Sequence, residues 1–204
     1  MILAKSSNTY SKQDSFALQA KKLGYRSRAA LKLKEISDKD RLLKRGSRVL
    51  DLGCSPGGWS QLCSEIVGKE GMVVGIDLKK VEPIKGVTLI QEDIVNFSKD
   101  LLLEYGIKTN KFDLVLSDMA PNISGIKERD EAQMMELIEI IKSVSDEFLS
   151  NKGNLLVKVF HGEPHEKLMN YVKSNFQQVR IRKPSASRPN SSELYVLAIG
   201  KNYE

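Results

Sequence analysis

The sequence predicts a doubly wound α/β fold, and three observations carry that expectation. Short apolar runs alternate with longer amphipathic stretches along most of the chain, the pattern of strands alternating with helices. The first run, Val49-Leu50-Asp51-Leu52, enters a glycine-rich bend, Gly53-Cys54-Ser55-Pro56-Gly57-Gly58-Trp59-Ser60, and a helical stretch follows over 61–67. Strand, glycine turn and helix form the entry to such sheets, and ligands bind there. The last two runs are joined by a polar loop instead of a helix, which makes the final strand antiparallel. Strands are expected at 48–52, 72–76, 87–90, 112–116, 154–160, 178–182 and 194–199, giving a seven-stranded sheet.

A chain of 204 residues fits one domain, here with a basic helical extension over about 1–40. A first helix is expected over 14–23, with Lys21 and Lys22 near its end and Gly24 as its stop. Ser27 is placed to cap a second helix over 28–37. Lys5, Lys12, Lys21, Lys22, Arg26, Arg28, Lys32 and Lys34 make this region basic, and acidic residues are sparse before Glu35. With 32 Lys and Arg against 26 Asp and Glu, the formal net charge is +6. Such a balance favours an anionic partner such as nucleic acid, with the amino-terminal helices as a phosphate-contacting platform. Further helices are expected over 99–105, 131–149 and 163–175, with 124–130 as a loop and Asn151-Lys152-Gly153 as a turn.

Cys54 and Cys63, the two cysteines, make no disulfide framework and read as small buried packers. No apolar run approaches membrane-spanning length and Met1-Ile2-Leu3-Ala4 is too short for the apolar core of a signal peptide, so a cytoplasmic protein is expected. His161 and His165 could tempt a metal reading, but Gly162 and Pro164 lie between them and no third ligand is evident. No metal is expected.

The bend lacks the Gly-x-Gly-x-x-Gly of dinucleotide sites and the Lys-Ser/Thr of a P-loop, so a nucleoside-like ligand without a demanding pyrophosphate fits better. Asp77 ends the second apolar run, where an acidic side chain accepts hydrogen bonds from ribose hydroxyls. The third run ends in Gln91-Glu92-Asp93. The fourth, Phe112-Asp-Leu-Val-Leu, runs into Ser117-Asp118-Met119-Ala120-Pro121-Asn122. The fifth, Leu155-Leu156-Val157-Lys158-Val159-Phe160, holds a lysine inside an apolar strand, where burying an unpaired ammonium is costly.

These motifs resemble the FtsJ/RrmJ-type RNA 2'-O-ribose methyltransferases, from about Lys21 to Gly200 and in the right order. The resemblance implies a Rossmann-like fold dependent on S-adenosylmethionine, with the cofactor held by Gly53, Gly57, Gly58, Trp59, Asp77, Asp93 and Asp118, and with Asp93 at the adenine. It implies a catalytic tetrad of Lys32, Asp118, Lys158 and Glu193, with Lys158 taking or orienting the 2'-hydroxyl proton. Lys32 lies in the matching stretch Ser27-Arg28-Ala29-Ala30-Leu31-Lys32-Leu33. The Asp118 motif carries no aromatic shelf of the kind found in enzymes that methylate exocyclic amines, which points to another nucleophile.

Within the family the resemblance is nearest to bacterial enzymes that methylate a uridine ribose of large-subunit ribosomal RNA. It therefore implies ribosomal RNA or the large ribosomal subunit as partner, and a monomer is expected. The alternatives are a tRNA or mRNA-cap 2'-O-methyltransferase, or a non-catalytic RNA-binding ribosome-assembly factor. The loop Ser187-Arg188-Pro189-Asn190-Ser191-Ser192 carries fewer arginines than many relatives, which shifts RNA grip toward the amino-terminal lysines.

Overall fold

The computed structural model describes residues 8–122, 124–187 and 191–202, with side chains from Ser15 onward. Its seven strands are β1 (Arg48–Leu52), β2 (Met72–Asp77), β3 (Thr88–Gln91), β4 (Phe112–Ser117), β5 (Leu149–Phe160), β6 (Phe176–Arg182) and β7 (Glu193–Lys201). They form one sheet in the order β3-β2-β1-β4-β5-β7-β6. The first five are parallel, and β7 lies antiparallel between β5 and β6. The helices are α1 (Asn8–Lys22), α2 (Ala29–Asp40), α3 (Gly58–Val67), α4 (Lys99–Glu104), α5 (Lys127–Phe148) and α6 (Glu163–Asn175), with a 3-10 turn at Ile94–Asn96.

Strand alternation sorts the core into two layers. Leu50, Leu52, Val74, Ile76, Val115, Leu155, Val157 and Val196 meet Ile138 and Ile141 of α5 and Leu168 of α6 on one face. Val49, Val73, Leu114, Leu116, Leu156, Tyr195 and Leu197 meet Leu33 and Ile36 of α2 and Trp59, Leu62 and Val67 of α3 on the other. The parity of β5 therefore turns Lys158, in step with Leu156, toward the α2–α3 layer. Cys54 and Cys63 are buried as free thiols.

Several boundaries differ from the sequence expectation. The first helix begins at Asn8 instead of residue 14, and α5 begins at Lys127, so the expected loop supplies its first turn. Asn151-Lys152-Gly153 does not leave the sheet. It is an irregularity within β5, where the register against β4 shifts between Phe112 and Leu114 and Lys152 adopts φ +62°. Arg28, not Ser27, is the amino-terminal cap of α2, and no side chain caps it. The Ser27 hydroxyl is buried without a partner.

The extension is tied to the core by polar contacts. Trp59 Nε1 donates to the Ala29 carbonyl at 2.7 Å and Gln61 Nε2 to the Gly24 carbonyl at 2.9 Å. Arg26 donates to the carbonyls of Glu82 and Pro83, each at 2.7 Å, across the loop after β2. At the far end of α2, Asp40 accepts from Arg180 Nη1 at 2.8 Å and from Arg182 Nη2 at 2.6 Å and Nε at 2.8 Å. Its side chain is 1% exposed.

The bonds from Arg182, and then Arg180, hold the Asp40 carboxyl below the usual aspartate range. A lowered folded-state value means stability present at neutral pH and lost as pH falls through the acid range. Asp40→Ala should destabilise by about 1–3 kcal/mol at pH 7, the cost of stripping partners from buried charged groups. Urea unfolding should show that deficit shrinking at acid pH, and a deficit indifferent to pH would count against the ion-pair origin.

Candidate active site

The glycine bend lies at the carboxyl end of β1, where the strand order turns between β1 and β4. Its entry is pinned to β2: the amides of Gly53 and Cys54 both donate to the Ile76 carbonyl, at 2.9 and 3.1 Å. Gly57 adopts φ +108°, and a Cβ there would stand 2.5 Å from Ile84 Cδ1. A Cβ on Gly58 would strike the Ser27 hydroxyl. Bare backbone and the amino terminus of α3 thus face a cavity of about 240 Å³. Gly53, Gly58, Trp59, Asp51, Lys32 and Asp118 are among its lining residues.

Asp77 ends β2 and accepts from the Ser55 amide at 2.8 Å and the Lys79 amide at 2.8 Å. It therefore shapes the bend directly, and it borders the bend without lining the cavity. Asp93 follows β3 and accepts from the Val95 amide at 3.1 Å, capping the 3-10 turn.

The four lysine and carboxylate positions expected from the sequence converge on the α2–α3 face. Lys158 Nζ stands 3.1 Å from Asp118 Oδ1 and also donates to the Asp118 carbonyl. Lys32 Nζ stands 2.5 Å from Glu193 Oε1. The two pairs are joined by a residue that sequence reasoning missed. The Tyr195 hydroxyl donates to Asp118 Oδ1 at 2.8 Å and accepts from Lys32 Nζ at 3.2 Å. The antiparallel register sets Lys158 opposite Tyr195 and Phe160 opposite Glu193. A polar-ended aromatic on the same face as Lys158 was the available signal, and it required knowing which strands pair.

Lys32 and Lys158 are 7% and 8% exposed, so neither ammonium reaches out to bulk water along a packed stem. Burial alone would raise Glu193, but the hydrogen bond and charge of Lys32 outweigh it and hold the carboxyl below its ordinary range. Burial, and then the negative charge of Asp118, pushes the Tyr195 phenol far above its ordinary value, which keeps it a neutral donor. Lys201 is a third buried lysine. It donates to the Ser145 and Asp146 carbonyls near the end of α5, at 3.0 and 2.9 Å.

Asp51 is the other site residue not singled out from sequence. It lies under α3, 1% exposed, and accepts from Ser60 Oγ at 2.6 Å. Its carboxyl is pushed up to about 7 by burial, against the Ser60 bond.

The match to known proteins fits this geometry. The model of the FtsJ-like methyltransferase family matches residues 25–201. The chain belongs to the FtsJ-like methyltransferase family. It is 43% identical over 206 residues to the ribosomal RNA large subunit methyltransferase E of Marinobacter nauticus, covering 98% of each protein. A solved ribosomal RNA methyltransferase from Plasmodium falciparum shares 33% identity at a TM-score of 0.78, covering 88% of this chain and 100% of that one. The fibrillarin of Aeropyrum pernix, solved with natively bound S-adenosylmethionine, shares the fold at 16% identity and a TM-score of 0.53, over 78% of this chain and 68% of that one. As an FtsJ-like methyltransferase, the chain has its glycine bend and its paired lysines within the matched residues.

Of the expected RNA platform, Lys5 and Arg188 lie outside the described residues. Lys21 and Lys22 are exposed, whereas Lys32 is committed to the tetrad and Arg26 to backbone carbonyls. Among the described residues no helix is long and apolar enough to cross a membrane.

A raised Asp51 means stability that is complete below the ordinary aspartate value and lost as pH rises through about 7. Asp51→Asn keeps an acceptor for Ser60 and removes the charge. Its melting temperature relative to wild type should therefore be more favourable at pH 8 than at pH 5. The same difference at both values, by thermal unfolding, would contradict a buried titrating carboxyl.

Proposed function

We propose that this chain methylates a ribose 2'-oxygen on a uridine of large-subunit ribosomal RNA, using S-adenosylmethionine. The observation that carries the reading is a pair of buried lysines, each bonded to a carboxylate and linked through Tyr195, beside a glycine-lined cavity. Relatives named for large-subunit ribosomal RNA favour that substrate over tRNA or an mRNA cap.

The residues present fit the cofactor. Gly53 and Gly58 line the cavity with bare backbone, each leaving its Cβ position to a packed neighbour, Met119 and Ser27, while Gly57 turns the bend beside it. The unpartnered Ser27 hydroxyl and buried Asp51 line the same cavity and offer polar contacts to it. Asp77 and Asp93, at the ends of β2 and next to β3, stand in the order expected for the ribose and the adenine. S-adenosylmethionine supplies a strongly electrophilic methyl group on a sulfonium.

The protein's own work is to hold and deprotonate the 2'-hydroxyl. Lys158 is held by Asp118 at two oxygens, its carboxylate and its carbonyl, so its direction is fixed before substrate arrives. Only as a neutral amine can it take the hydroxyl proton; as the ammonium paired with Asp118 it orients the 2'-oxygen by donating to it. Lys32 and Glu193 keep a balanced charge pair beside it, and Tyr195 fixes the spacing between the pairs. Cavity and tetrad are complete within one chain, which suits a monomer.

Lys158→Ala should lose at least about a hundredfold in rate, the low end for a positioned base. S-adenosylmethionine affinity, read by calorimetry, should survive. Lys158→Arg should fail as well, because a guanidinium does not release its proton near neutral pH. Full activity in the arginine variant would leave positioning as the only role. The decisive measurement is ribose-methylation mapping of RNA from cells with and without the protein, where an unchanged map would reject the function.

RNA affinity should fall steeply with salt through phosphate neutralisation. Charge reversal at exposed Lys21 and Lys22 should weaken it and spare the cofactor. Salt-independent RNA binding would contradict a basic docking platform.

A further inference from the structure

A second cavity, of about 220 Å³, opens at the carboxyl ends of β4 and β5. Pro121, Phe160, His161, Lys127, Glu131 and Ser192 are among the residues that line it. None of these lines the first cavity. Three of these positions adjoin tetrad residues along the chain or across the sheet, while Lys127 and Glu131 come from α5. Ser192 precedes Glu193, Phe160 is the register partner of Glu193 and lies two residues past Lys158, and Pro121 follows Asp118 at the end of β4. Asp118 and Lys32 line the first cavity, and the second adjoins the tetrad through these neighbouring positions.

We infer that this second cavity receives the base of the nucleotide whose ribose is presented to the tetrad. The inference rests on the function proposed above and names where its substrate sits. In-line transfer puts the methyl donor and the rest of the acceptor nucleotide on opposite sides of the reacting oxygen. With the donor over the glycine bend, the base extends away from it, and this cavity, which the bend does not line, shares the β4 and β5 strand ends with the tetrad.

The lining chemistry suits a nucleobase. Phe160 and His161 supply flat rings and Pro121 an apolar surface, and bases are held out of a stack by such surfaces. His165 backs His161, with ring centroids 6.0 Å apart in an edge-on arrangement. At the rim, Lys127 Nζ lies 4.0 Å from Glu131 Oε1. A donor and an acceptor side by side match the edge of uracil, where a carbonyl oxygen adjoins an N–H.

The test uses large ribosomal subunits from cells lacking this protein as substrate, with the full chain. Stacking is worth about 1–3 kcal/mol per base, or roughly five- to a hundredfold. Phe160→Leu and His161→Ala should each lower kcat/KM by at least about fivefold, mainly through KM for the subunit. Cofactor affinity should stay unchanged, and Phe160→Tyr, which keeps the ring, should retain wild-type kcat/KM. His161 is exposed, so its variant remains informative even if Phe160→Leu folds poorly.

Three results would overturn the assignment: both variants within twofold of wild type, Phe160→Tyr as impaired as Phe160→Leu, or a parallel loss of cofactor affinity. A wild-type protein that leaves the subunits unmethylated would instead reject the proposed function.

Discussion

The Tyr195 hydroxyl is the contact on which the rest of the site depends. It accepts from Lys32 and donates to Asp118, so one oxygen sets the distance between two buried ion pairs. Burying two lysines would be prohibitive if either ammonium were left unpaired. Each has a carboxylate within salt-bridge distance, and Tyr195 adds a second acceptor for Lys32 as the Asp118 carbonyl does for Lys158. The phenol can play both parts because burial and the neighbouring carboxylate keep it protonated.

That arrangement is imposed by sheet topology. β7 enters between β5 and β6 and runs against both, which sets Tyr195 across from Lys158 and Glu193 across from Phe160. Tyr195 and Glu193 share a face because they are two residues apart on a strand. Lys32 reaches them because α2 packs on the same face through Leu33 and Ile36. Four separate segments therefore meet at one point: α2, the end of β4, β5 and β7.

The amino-terminal segment is a wall of the site as well as a basic surface. Arg26 spends its guanidinium on loop carbonyls beyond β2, and Trp59 reaches from the glycine bend to the Ala29 carbonyl. Glu35 accepts from the amide and hydroxyl of Ser185, at 2.8 and 2.6 Å, and Asp40 gathers two arginines of β6. These bonds fasten α2 at both ends and hold Lys32 in register with Glu193. Positive charge in this region is divided between internal fastening and exposed lysines that remain available to an anion.

The sequence by itself determined the sheet, its helical crossovers and its antiparallel last strand, because residue alternation and glycine bends are local properties written along the chain. It also made Lys158 conspicuous, since a lysine inside an apolar run is anomalous before any neighbour is known. It could not separate Lys32 from a surface lysine, nor show that buried Lys201 bonds carbonyls at the end of α5. It gave no hint that Ser27 leaves α2 uncapped and turns its hydroxyl inward, nor that 127–130 joins a helix. Tyr195 and Asp51 read as ordinary strand residues. Only the tertiary structure decided their roles, because a side chain's partners depend on strand register and helix packing between segments far apart in sequence, and those are set by the whole core at once.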